Sequence, residues 1–302
     1  MIRSMYSGIS GLKNFQTKLD VIGNNIANVN TYGFKKGRTI FKDLVSQTVA
    51  GASGPSETRG GVNPRQVGLG AQLAAIDTIH TGGSSQFTGN TLDLAITGDG
   101  FFQVMDGNEI MYTRAGNFYM DRNGFLVDGD GRYIIGEGVD EQAIPADPDD
   151  ANDDGTPVQF NGEFGRIQIP ITASSMSIGQ DGTIYFVDVP RDGVTGEPED
   201  EDAKAILQVA GKIQITKFSN PGGLEKTGGN LFRTSANSGE PENGFALDQG
   251  FGGIESGFLE MSNVDLSEEF TDMIVAQRGF QANTRIITTS DEILQELVNL
   301  KR

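Results

Sequence analysis

His80 is the one histidine in a chain of 302 residues that has no cysteine. Any nucleophile–base chemistry would have to run through it. It stands in DTIHTGG, and a Ser-His-Asp arrangement needs partners that the fold, not sequence neighbourhood, must bring. A lone histidine with no such constellation reads as structural. The pair Gly98-Asp99-Gly100 lacks the six-residue glycine fingerprint of a dinucleotide site, and no Gly-Lys-Ser/Thr follows a glycine-rich turn. Asp150, Asn152, Asp154 and Gly155 fit the first half of a calcium loop, but the closing acid falls on Asn161 and no helices flank it. The many acidic pairs sit in solvated stretches with no reason for a raised pKa. The residues point to no catalytic site, no cofactor and no metal.

The net charge of −18 argues against nucleic acid and against an anionic membrane surface. It is concentrated in two stretches. Residues 137–163 hold nine acids and no base, and residues 188–202 hold seven acids and one arginine. PADPDDANDDGTP and DGVTGEPEDEDA read as solvated loops inserted into a more ordinary scaffold, near 139–162 and 188–202. No run is long enough for a transmembrane helix. MIRSMYSGISGLKNF lacks a continuous apolar core, so a secretory signal peptide is not expected there.

Chemistry of another kind is suggested by GNNIANVNTYGF (23–34). Asn24, Asn25, Asn28 and Asn30 crowd the end of a segment that otherwise reads as a helix, although asparagine prefers caps and turns. Met5, Leu12, Leu19 and Ile26 are spaced by seven, with Ile9 beside them, and Phe15, Ile22 and Val29 form a second row. Near the other end, Leu266, Met273, Phe280, Ile287 and Leu294 are also seven apart, and Phe270, Ile274 and Val298 widen the stripe. Sustained heptads predict helices that pack in coiled-coil fashion. Asp265 to Glu268 (DLSE) resembles a capping box, and the helix it opens is expected to reach Asn299, about 50 Å away. Either helix alone could lie on a globular core. Two of them at opposite ends of a β-rich chain have no obvious partner but each other and further copies. The asparagines then form a polar, uncharged packing surface beside Ile22, Ile26 and Val29, and Gly33 supplies a left-handed stop.

The middle reads as β structure. Hairpins are expected at Asp106-Gly107, Asn123-Gly124 and Asp181-Gly182, and AILQVAGKIQITKF adds strand material. AGASGPSETRGGVNPRQVGLGA, rich in Gly, Ser and Pro, reads as a connector. The fold class is α+β. The expected division is an N-terminal helix segment over 1–45, the connector over 46–75, a central all-β domain over 76–256, and a C-terminal helix segment over 257–302. The two helices pair as an assembly domain.

MYSGISGLKNFQTKLDVIGNNIANVNTYGFKK resembles the N-terminal signature of the flagellar rod and hook axial proteins. TGNTLDLAITGDGFFQV (88–104) is similar to that family's internal motif, and SGFLEMSNVDLSEEFTDMIVAQRGFQANTRIITTSDEILQELVNL to its C-terminal helix. The likeness covers both ends and most of the β region but not the acidic insertions. SNVDLS and TSDEILQELVNLKR look more like the hook branch, so the resemblance implies a hook subunit, a flexible joint that transmits torque; the distal rod branch, which the short β region also resembles, is the alternative. The resemblance implies a non-enzymatic subunit that polymerises into a helical tube, with paired terminal helices inside and the β domain outside. Its implied partners are further copies, neighbouring rod and hook–filament junction proteins, the hook cap and the type III export apparatus, with neither nucleic acid nor membrane insertion. The implied place is the flagellum, reached by export. A secreted calcium- or glycan-binding module would leave both heptad helices unexplained.

Overall fold

The structure is a computed structural model that describes residues 2–55, 58–107, 109–139, 160–171, 173–188 and 206–300. Most of both acidic insertions, and the calcium-loop match at Asp150 to Gly155, lie outside these residues. The chain is α+β, with one long helix near each end and a large β domain between them. It divides into two compact units. One holds residues 1–29, 35–79 and 264–302, and the other holds 30–34 and 80–263.

In the first unit, α1 (Ile2–Ala27) pairs with α2 (Leu266–Asn299). The start of α2 follows its sequence. The Asp265 carboxylate accepts from the backbone N–H groups of Ser267 at 2.8 Å and Glu268 at 3.3 Å, satisfying donors that a helix start leaves open. Between the helices in sequence, the segment read as a connector over 46–75 forms a β-ribbon together with residues on either side of it. Gly37–Asp43 pairs antiparallel with Ala71–Thr78, and Ser46–Ala50 with Arg65–Gly68. The glycine and serine content hid this from the sequence. Its strands carry few large apolar residues, such as Val67 and Leu73, among small and polar ones, and a two-stranded ribbon can form by backbone pairing without a buried run of large side chains.

The second unit is one large antiparallel sheet with two smaller strand pairs. Ile206–Lys217 is its axis and pairs in turn with Thr183–Asp188, Tyr133–Val139, Phe101–Asp106 and Glu242–Phe245. All three expected hairpins form. Asp106 faces Glu109, Met120 faces Leu126 and Ile178 faces Ile184, each turn using its glycine at positive φ. Strand alternation divides neighbouring aromatics between faces. Phe102 joins Val104, Ile134, Ile184, Ile213 and Ile215 in the main core, while Phe101 joins Tyr112, Phe218, Leu224 and Phe232 in a second cluster. Phe258–Glu260 pairs with Ser85–Phe87, so these residues, read as part of the C-terminal helix segment, belong to the β unit.

Candidate self-assembly surface

Small residues let the two helices come close. They run antiparallel, with Gly8 against Ile287, Gly11 against Asn283 and Phe15 against Gly279. A Cβ on Gly279 would lie 2.5 Å from the Phe15 ring, and one on Gly11 would lie 2.8 Å from the Asn283 side chain. Glycine inside a helix costs roughly 1 kcal/mol relative to alanine, so three of them at one interface mark a place where another backbone must approach. Ala276 and Ser290 are buried on the same face of α2. Lys18 and Asp272 add an ion pair at 3.1 Å, partly exposed and worth little by itself.

The asparagines have distinct roles. Asn25 is buried, and its amide is fully used. Its Oδ1 accepts from the Gly37 N–H at 3.0 Å, and its Nδ2 donates to the Gly37 carbonyl at 2.9 Å and to Glu269 Oε2 at 3.2 Å. One side chain therefore joins α1, the first ribbon strand and α2. Asn28 donates back to the Asn24 carbonyl at 2.9 Å and to its side chain at 3.0 Å, closing the last turn of the helix. Asn24 is exposed. Gly33 does take a left-handed φ of +68°, but six residues beyond the last helical residue. A Cβ there would also lie 2.4 Å from the Ala115 nitrogen.

The heptad positions are not equivalent in this pairing. Met5, Leu12, Leu19 and Ile26 are half-buried, as are Met273, Ile287 and Leu294, while Ile9, Leu266, Phe270 and Phe280 are exposed. In α2 the exposed Phe280 falls between half-buried Met273 and Ile287, so position in the heptad does not by itself decide burial. Phe15 and Ile287, which the spacing names, meet residues that it passes over, Gly8 and Gly279, while Gly11, Asn283 and Glu269 complete the contact without any apolar signal. The signal for the glycines was their recurrence within strongly helical segments. On the flanks of α2, Leu266, Phe270 and Ile274 form one exposed row, and Val275, Ile286 and Ile293 another. The ribbon exposes Val45, Val49 and Val67. Exposed large apolar side chains of this kind are what contact with another surface would cover.

In the β unit, His80 packs its ring against Phe101 and Phe232, with centroids at 5.6 and 5.3 Å. Arg114 is buried. Its guanidinium donates to the Ile96 and Gly98 carbonyls and to Glu260 Oε2. Burial pulls the Arg114 pKa below its usual value, against the opposing pull of Glu260 and Asp99. Glu260 in turn accepts from the Gly83 N–H at 3.0 Å, and its carbonyl accepts from the Gly33 N–H at 2.8 Å. This pair joins three segments far apart in sequence and is a structural tie. Among the described residues no group of three His, Asp or Glu could hold a metal ion, and no helix is long and apolar enough to cross a membrane.

Three family descriptions match the chain. Residues 5–35 match "Flagella basal body rod protein", residues 95–186 match "Flagellar hook protein FlgE/F/G D1 domain", and residues 255–300 match "Flagellar basal body rod FlgEFG protein C-terminal". The flagellar basal-body rod protein FlgG of Bacillus subtilis is 54% identical over 303 residues, covering all of both chains. The flagellar hook protein FlgE of Borreliella burgdorferi is 36% identical over 441 residues, again covering both, and the FlgG rod protein of the same organism is 37% identical over 306 residues. With helices, β domain and sequence in agreement over its full length, the chain belongs to the flagellar basal-body rod and hook protein family.

Proposed function

We propose that this chain is a distal-rod-type subunit, one that polymerises into a straight segment of the flagellar axis. The observation that carries the reading is length. The chain of 302 residues aligns with a rod protein at 54% identity over 303 residues, whereas alignment with a hook protein extends over 441. The ribbon supports it physically. An isolated two-stranded ribbon is marginal in water, and one that exposes valines gains by docking on neighbouring subunits. A docked ribbon would brace a tube wall against bending, whereas a loose connector would let it flex.

The subunit's work in this reading is mechanical, with no catalytic step. Its partners are further copies of itself and the axial proteins at either end of the segment, and it reaches them through the flagellar export channel with an assembly cap at the growing tip. The exposed members of the heptad and asparagine set, Ile9, Asn24, Leu266, Phe270 and Phe280, form its contact surfaces. A hook subunit, which must bend, is the second reading, favoured by the C-terminal stretches SNVDLS and TSDEILQELVNLKR. Electron microscopy of polymers grown from the purified chain separates the two. Uniformly straight tubes are expected, and tubes of variable curvature would overturn the rod reading in favour of the hook.

A further inference from the structure

We propose that Asn25 and Glu269 form a protonation-sensitive latch that holds α1 more tightly against α2 as the pH falls. The geometry is that of an acid kept from water with little to offset its charge. Glu269 is buried, and its Oε2 accepts a hydrogen bond from Asn25, a neutral donor whose other polar atoms are committed to Gly37. The charged groups around it are already engaged with others. On its own helix stand Glu268 and Asp272, whose negative charges oppose a second one. From the segment after α1, Lys36 reaches towards it but bonds Glu268 at 2.7 Å, and from α1, Lys18 bonds Asp272 at 3.1 Å.

Protonation at Oε1 would leave the Asn25 bond to Oε2 in place, because a neutral carboxyl still accepts through its carbonyl oxygen. Protonation weakens that bond and the attraction of Lys36 but removes the larger cost of burying the charge. Burial raises the Glu269 pKa, while Asn25, Lys36 and the α2 dipole oppose the rise. The direction follows from linkage. A carboxyl whose pKa is higher in the packed state takes up a proton on packing. Its penalty is therefore absent below the ordinary glutamate pKa and fully present above the raised one.

The test uses the full chain and reads hydrogen exchange at the amides of both helices, corrected for intrinsic rate, at about pH 5 and about pH 7. Wild-type helices are expected to be several-fold better protected at the lower pH. Glu269→Gln keeps the shape and the acceptor, so it should raise protection at the higher pH and flatten the pH dependence. Asn25→Asp places a second carboxyl against Glu269 and should steepen it, with pairing weakened at neutral pH and recovered in acid. Unchanged pH dependence in Glu269→Gln would overturn the latch. Independently of any variant, so would a carbon-13 titration of the Glu269 carboxyl at or below the ordinary value of 4.5.

Discussion

At the scale of single residues, several positions tolerate nothing larger than glycine. A Cβ on Gly116 would lie 1.7 Å from the Leu94 carbonyl oxygen, and that atom is backbone and cannot turn aside. Gly116→Ala is expected to destabilise the β unit by about 3 kcal/mol or more, read as a lower denaturation midpoint with the two helices still formed. Gly279 differs, because its neighbour is a side chain. Gly279→Leu should weaken the helix pair by about 1–3 kcal/mol, and Phe15→Ala in the same chain should return part of the loss by vacating the space. Hydrogen exchange at the helix amides would show both. Arg114→Met removes the guanidinium that pairs with the buried Glu260 carboxylate and should cost about 3–5 kcal/mol in chemical denaturation.

At the scale of elements, the ribbon is the part whose role differs most between rod and hook. Its strands are held by backbone pairing and by α1, since a Cβ on Gly70 would meet Ser10, and one on Gly37 would meet Val21. In the outer half, from Ser46 to Gly68, the described residues are exposed. Deleting residues 51–66 should leave the melting of the isolated chain nearly unaltered and make polymers curved or fragile under electron microscopy. Straight, robust polymers from the deletion variant would remove the ribbon from the account of stiffness. The exposed row on α2 has its own test. Phe270→Asp places a charge on an exposed residue, so it should spare the monomer's helix content by circular dichroism while blocking polymer growth. A variant that polymerises like wild type would show that this row faces no neighbour.

At the scale of the whole molecule, the two units have different sources of stability. The β unit carries a core of large buried side chains from many strands. The helix unit holds its elements through glycine contacts, one buried asparagine and partly exposed ion pairs. Truncation after Asn263 removes all of α2 and leaves the β strand Phe258–Glu260 in place. The β unit should keep its cooperative melt, α1 should lose protection from exchange, and polymerisation should cease. Cutting at Gly257 instead removes the Glu260 partner of Arg114, so it should also lower the melt of the β unit. Equal melts for the two truncations would show that the pair contributes nothing to that unit.

Apolar spacing, caps and turn residues act over a few neighbours, so they were legible in the sequence. The heptads located both helices, Asp265 placed the start of α2 on the right residue, and the Asp-Gly and Asn-Gly pairs located three hairpins. The motifs at both ends and at 88–104 were enough to show the family resemblance. What required the tertiary structure was every choice that depends on what lies opposite. The same asparagine type is a buried tie at position 25 and an exposed residue at 24, because only one of them faces Gly37 and Glu269. The glycines of α1 and α2 look like defects in a helical pattern until the partner backbone is seen to need their space. The ribbon reads as a connector because its pairing energy lies in backbone hydrogen bonds, which carry no side-chain signature. Spacing along a chain reports the period of an element, and only the packed molecule decides which of its faces meets a neighbour.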